Sequence, residues 1–313
     1  MKKLILLLMG LLIGLLIFQS CSSDDNQNTV DDSNVNISKW INKKYTFSDY
    51  LTGNYDESGI LTDSIEYTIV NNKITAFSGF TNINDVAKSV NGNISYSNNK
   101  ITQYERYKNN QLVLKLNYQY DSSGELIEYK CSDWVTSSQE FEYFKSEFTH
   151  TTDTVFSKFF KSSNDIQYDL KSTSKIVLDE NNNRLYNEVL SESGFTGIIT
   201  STYDSSNNMN SNNIYTNVVY NFTYSDVLNT EGFISNNTFG KKVNMLLFGE
   251  GSGFSPKRTS TNEIESVSSN NVANTYEYML ENESNQNNYS IRTSYKEKSG
   301  LAGRLEISEF EFE

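Results

Sequence analysis

The chain has 313 residues, with 26 basic against 39 acidic side chains and a net charge of −13. A body this acidic repels phosphate backbones, which argues against nucleic acid as a partner. One histidine and two cysteines leave no transition-metal cluster of the usual His/Cys kind, so no metal or cofactor is expected.

Lys2 and Lys3 precede an unbroken apolar run, Leu4 to Phe18. As a helix that run is about 22 Å long, short of a hydrocarbon core of roughly 30 Å. It reads as the core of a signal peptide rather than a permanent span. Gln19, Ser20 and Cys21 follow. A small residue before a cysteine at this place resembles the lipobox cut by bacterial lipoprotein signal peptidase, although Phe18 and Gln19 depart from its usual residues. The resemblance implies that residues 1–20 are removed and that Cys21 is acylated, with palmitate among its chains. The alternative is an ordinary signal peptide with a coincidental cysteine. Ser22, Ser23, Asp24 and Asp25 then resemble the export signal of Bacteroidetes surface lipoproteins, which implies an outer-membrane, cell-surface location. From Ser22 to about residue 36 there is almost nothing to bury, and such a segment cannot offset its ordering entropy. Residues 21–44 are therefore expected to be a tether and 45–313 a single domain. Two or more acyl chains suffice for stable attachment to a membrane.

The body is rich in Tyr (21) and Phe (18) and holds one proline, Pro256. Aromatic and β-branched residues favour pleated sheet, and scarcity of proline suits backbone N–H groups committed to ladders. Leu112, Leu114, Leu116, Tyr118 and Tyr120 alternate with polar residues, which predicts a strand over 112–120. The same period predicts strands over 214–224 and 304–312. In the last of these, Leu305 and Ile307 occupy one phase and Phe310 and Phe312 the other, so a bulge is expected near Ser308 and Glu309.

Turn signals recur between these runs. Asn71-Asn72-Lys73-Ile74-Thr75 and Asn98-Asn99-Lys100-Ile101-Thr102 match each other, with Asn109-Asn110 as a relative. Tyr55-Asp56-Glu57-Ser58-Gly59-Ile60-Leu61, Tyr120-Asp121-Ser122-Ser123-Gly124-Glu125-Leu126 and Tyr203-Asp204-Ser205-Ser206-Asn207-Asn208-Met209 are a second type. Leu178 to Leu185 is a looser copy read with one extra residue. Short strands and turn signals at such spacing predict an all-β, antiparallel up-and-down meander. The Tyr-Asp-x-x-Gly-x-Leu unit resembles the YD repeat of Rhs-type proteins. With the lipobox, acidic pair and Asn-rich leash, it resembles a group of uncharacterised Bacteroidetes lipoproteins with a rolled, porin-like β-meander. That resemblance implies a barrel-like or strongly curved sheet and a surface location. The group has no established activity to carry over.

Residues 229–260 break the rhythm and read as a long structured loop. Met245 to Phe248 is apolar, and Gly249 to Pro256 follows with no helix expected after it, so neither a dinucleotide fingerprint nor a P-loop is formed. Gly251, Gly253 and Phe254 are candidate ligand contacts, and a plug in the sheet is the equal alternative. Asp179 to Leu190 lacks the glycine and terminal glutamate of an EF-hand. His150 has no Gly-x-Ser-x-Gly partner and reads as an exposed strand-end residue. Cys131 reads as a small core residue. Glu140, Glu142 and Glu147 cluster in sequence, but a glycosidase needs two carboxyls roughly 5–10 Å apart across a cleft. No catalytic residue is assigned. Asp63-Ser64-Ile65 and Asp153-Thr154-Val155 resemble the Bacteroidetes O-glycosylation pattern, making Ser64 and Thr154 modification candidates. The leading expectation is a non-catalytic surface lipoprotein, anchored to the membrane by lipid, that binds an extracellular ligand such as glycan or serves as a structural or adhesive element. A secreted glycan hydrolase using a carboxylate pair is the rival. An integral outer-membrane barrel conflicts with charges on both strand faces.

Overall fold

The computed structural model describes residues 35–47, 56–83, 86–214, 218–248, 255–270, 277–299 and 302–313. Residues from Ser33 to the C-terminus form one compact unit. Its strands are β1 (Ile37–Phe47), β2 (Ile60–Val70), β3 (Lys73–Ile83), β4 (Val86–Ser97), β5 (Lys100–Lys108), β6 (Gln111–Tyr120), β7 (Leu126–Val135), β8 (Glu140–His150) and β9 (Thr154–Ser162). They continue as β10 (Asp169–Leu178), β11 (Arg184–Ser191), β12 (Thr196–Tyr203), β13 (Met209–Ile214), β14 (Val218–Leu228), β15 (Asn262–Ser269), β16 (Glu277–Ser284), β17 (Ser290–Ser299) and β18 (Ala302–Phe312). Each pairs antiparallel with the next from β1 to β15 and from β16 to β18, and β18 returns to pair with β1. In the strand order β15 is also the neighbour of β16. The result is an all-β meander rolled into a nearly closed barrel, as the turn spacing implied.

Two turn chemistries build it. Asn71-Asn72, Asn98-Asn99 and Asn109-Asn110 all have φ between 47° and 64° at both positions. Positive φ at both central residues is what a two-residue type I′ hairpin demands, and asparagine tolerates it. In the second type an aspartate carboxylate receives two backbone N–H groups, two and four residues on. Asp121 takes Ser123 and Glu125, Asp179 takes Asn181 and Asn183, and Asp204 takes Ser206 and Asn208, at 2.8–2.9 Å. The third residue after each aspartate is left-handed: Gly124, Asn182 and Asn207. Asn285 builds a further copy, donated to by Asn287 and Tyr289, with Asn288 left-handed. Thus the aspartate and glycine of the repeat are the acceptor and the strained corner of one turn.

The Leu178 to Leu185 copy has no extra residue. Leu178 pairs with Arg184 just as Tyr120 pairs with Leu126 and Tyr203 with Met209. Arg184 therefore fills the slot of a core leucine, at 1% exposure like Leu126 and Met209, while Leu185 is 38% exposed.

The barrel's inner face carries the main core. Trp40, Tyr67, Phe77 and Tyr104 pack in series, with ring centroids 4.4, 5.8 and 5.5 Å apart, the outer two pairs stacked and the middle one tilted. Phe77 crosses β4 over Gly92, where any Cβ would meet its ring and the Glu105 carbonyl within 2.5 Å. Ile74, Ile101, Leu126, Phe148, Val155 and Ile176 gather at the strand ends beside the turns.

Residues 229–260 hold helices rather than the expected loop: α1 (Thr230–Phe239), α2 (Lys241–Phe248) and α3 (Ser255–Thr259), so a short helix does follow the glycine cluster. Asn229 caps α1 by accepting the Gly232 N–H at 2.8 Å, and Gly240 ends it at φ 82°. Ile234, Val243 and Leu246 join the inner core, and the Ile74 N–H donates to Thr238 Oγ1 at 3.0 Å. The helices thus plug the barrel at the end where those turns lie.

Three expectations change. The tether's limit lies earlier than residue 44, because β1 begins at Ile37. The 214–224 alternation is not one strand: Ile214 ends β13 and faces Val218 of β14, so the pattern crosses a hairpin. The predicted bulge at Ser308 and Glu309 is absent, since β18 keeps register with β1 from Gly303 to Glu311. Its two apolar phases instead serve opposite faces. Phe310 and Phe312 belong to the inner core, and Leu305 and Ile307 form an outer cluster with Tyr45, Phe47 and Leu61.

Candidate functional site

Cys21, Ser22, Ser23, Asp24 and Asp25, and the loop candidates Gly251, Gly253 and Phe254, lie outside the described residues. Ser64 sits half-buried within β2, and Thr154 half-buried at the start of β9, donating to Asp153 at 2.9 Å. Cys131 is free and packs on the inner core, and burial pushes its thiol up to about 11. His150 ends its strand as expected but is not exposed. Its side chain is 12% accessible, with Nε2 2.7 Å from the Leu126 carbonyl and Nδ1 3.5 Å from Glu125. Glu142 and Glu147 stand on opposite faces of β8 and pair separately, with Lys161 at 2.9 Å and Lys145 at 2.7 Å. Glu140 is exposed at the strand's start. Glu142 and Glu147 therefore form no pair.

The sheet does assemble a constellation that the linear sequence hides. On the outer face of β8 to β11, cross-strand register aligns two rows. Glu147, Lys158, Thr173 and Leu190 make one, and Thr149, Phe156, Lys175 and Glu188 the other. Their neighbours Val155, Phe148 and Ile176, of opposite phase, are buried in the core, so these eight side chains point outward. They line a groove of about 420 Å³ whose floor includes Ser157 and Ser174. Phe156 is 47% and Leu190 48% exposed. An aromatic face among hydroxyls, lysines and carboxylates offers both apolar contact and hydrogen bonding. Glu147 and Glu188 sit three strands and one row apart, about 16 Å at the backbone, beyond the carboxyl spacing of a glycosidase.

A second constellation lies inside, between the plug and the wall. Glu263 of β15 is buried, and its Oε1 accepts from Ser290 Oγ at 2.6 Å. Thr230 Oγ1 donates to the Ser290 carbonyl at 2.6 Å, tying α1 to β17. Burial, with the Glu231 carboxylate nearby, pushes Glu263 up to about 7. Burial also raises Glu231, whose Oε1 lies 3.7 Å from Arg258 Nε. Burial opposes ionisation of Glu306 too, but Lys257, Lys44 and the Asn42 amide outweigh it and hold that carboxyl below its usual range. Lys257 lies 4.4 Å over the Tyr295 ring. These groups fasten the helices to the barrel; Glu263, Ser290 and Thr230 are all closed to solvent. Sequence patterning missed both constellations. The rows need the strand register, and the buried acids come from α1, β15 and β18.

No family model and no curated protein matches the chain. Among solved structures, a porin-like protein from Bacteroides uniformis covers 88% of this chain and 98% of its own, at 11% identity and a TM-score of 0.39. A porin-like protein from Bacteroides vulgatus covers 89% and 99%, at 12% identity and a TM-score of 0.37. A DUF3836 family protein from Bacteroides vulgatus covers 34% and 87%, at 15% identity and a TM-score of 0.20. Likeness at this level leaves function to be argued from the chain's own residues.

Proposed function

We propose that the chain is a lipid-anchored protein of the bacterial outer-membrane surface, of the YD-like lipoprotein group, whose non-catalytic β domain binds an extracellular glycan in the groove of β8 to β11. The groove carries this reading, because it presents a half-exposed Phe156 flanked by Thr149 and Thr173 on an otherwise ion-paired outer face. The lipobox-like Leu4 to Cys21 segment and the acidic pair after it support the location. The outer face itself supports an anchored body over an integral barrel. Lys43 pairs with Glu309 at 2.8 Å, Lys115 with Glu105 at 3.0 Å and Lys296 with Glu281 at 3.2 Å, where a membrane barrel needs an apolar band. The plug packed into the inner core favours a binding module over an open channel.

Metabolic labelling with a fatty-acid analogue and a glycan array on the full chain test the two halves. Cys21→Ala abolishes the label, and Phe156→Ala abolishes array binding while leaving the unfolding midpoint unchanged. Undiminished label in the first variant refutes the anchor; undiminished binding in the second refutes the groove.

A further inference from the structure

We infer that the groove selects acidic saccharides, uronic-acid oligomers in particular, an inference that rests on the glycan reading and deepens it. Lys158 and Lys175 carry it. Five lysines elsewhere on the outer face stand against carboxylates: Lys43, Lys115, Lys145, Lys171 and Lys296 each have one within 3.2 Å. Lys158 and Lys175 are exposed and engage no partner among the described residues. Their register partners are committed elsewhere. Glu147, opposite Lys158, is held by Lys145 at 2.7 Å, and Glu188, opposite Lys175, accepts from Tyr186 Oη at 3.2 Å.

Phe156 is the register partner of Lys175 and Thr173 that of Lys158, so the two lysines are diagonal neighbours. Diagonal positions on adjacent strands lie about 7–8 Å apart at Cβ, close enough for two ammonium groups to converge on one carboxylate. Phe156 lies beside Lys158 on its strand and opposite Lys175 on the next. A sugar ring stacked on Phe156 therefore places a ring carboxylate within reach of both lysines, with the Thr149 and Thr173 hydroxyls available to ring hydroxyls. The net charge of −13 opposes anions at long range. Attraction must then be local, within a Debye length of about 8–10 Å, and must fade with salt.

Calorimetric titration of the full chain with an oligogalacturonate, a neutral galacto-oligosaccharide of equal length and poly-glutamate separates the possibilities. The oligogalacturonate is expected to bind at least tenfold tighter than the neutral oligomer at 0.05 M salt. That advantage should vanish in 0.5 M salt and in the Lys158→Gln, Lys175→Gln double variant, whose thermal unfolding stays unchanged. Equal affinity for the neutral oligomer, insensitive to the lysines but lost in Phe156→Ala, overturns the acidic preference and leaves the glycan reading standing. No binding of either saccharide overturns both. Poly-glutamate bound as tightly as the uronate overturns the sugar part of the inference.

Discussion

Replacing Glu263 with glutamine should stabilise the protein above neutral pH and do little in acid. Glu263 is 7% exposed, faces Ser290 of β17 and Thr230 and Glu231 of α1, and has Lys257 of α3 as its nearest compensating cation. Its carboxyl titrates near 7 in the folded protein against 4.5 for an ordinary glutamate. Between those values the folded state binds more protons than the unfolded chain, so stability falls as pH rises through that window and stays lower above it. At about 1.4 kcal/mol per pH unit the gap is worth roughly 3 kcal/mol. The amide in Glu263→Gln would keep an oxygen for the Ser290 hydroxyl and carry no charge to bury. Urea unfolding at pH 4.5 and pH 8 should therefore show a variant close to wild type in acid and roughly 2–3 kcal/mol more stable at pH 8. A difference independent of pH, or a loss of stability at pH 8, would refute the reasoning.

The shared turn geometry makes two further demands. Leu126→Ala empties a core slot at 1% exposure and should cost about 2–5 kcal/mol, whereas Leu185→Ala, at 38% exposure, should cost well under about 1 kcal/mol in the same denaturant assay; equal costs would overturn the placement of Arg184 in the leucine slot. Asn182 sits at φ 59°, so Asn182→Ala should lower stability by about 1–2 kcal/mol while Asn182→Gly should be neutral or better.

Strand existence and turn type were legible because each depends on local chemistry. Period-two runs such as Leu112 to Tyr120 and asparagine pairs at left-handed corners need no tertiary knowledge. The misreadings all came from a second partner. The 214–224 run continued its alternation through a hairpin, since residues on either side of a turn can hold the same phase. The phase change in β18 reflected two cores on two faces. The helical character of the plug escaped notice because α1 is buried around much of its surface, at Thr230, Glu231, Gly232, Ile234, Ser235 and Thr238, and so shows no amphipathic stripe. The groove was illegible for a different reason. Its eight side chains are spread from Glu147 to Leu190, and only four-strand register collects them.

The phase breaks at the turns have one common cause, and it also accounts for the rolling of the sheet. In six hairpins at the plugged end, though not between β8 and β9, the ladder slips once on the strand leaving the turn, at Thr75, Thr102, Ile127, Leu185, Asn210 and Ile291. Each slip leaves one residue unpaired and moves the inward phase by one. Inward-facing residues are then spaced by three rather than two, as in Ile74 and Phe77, Ile101 and Tyr104, Leu126 and Tyr129, Arg184 and Asn187, and Met209 and Asn212. Read along the sequence, this spacing looks like degenerate alternation. In space, these bulges, most frequent at the plugged rim and joined by slips at Thr62, Val113 and Lys171 toward the other, add the right-handed twist a meander needs to return its last strand to its first. Both turn types supply that bulge: it follows the asparagine pairs, at Thr75 and Thr102, as well as the aspartate turns, at Ile127, Leu185 and Asn210. A chain built from repeated copies of such a turn is therefore biased toward closure by local hydrogen bonding, before the helices fill the end it narrows.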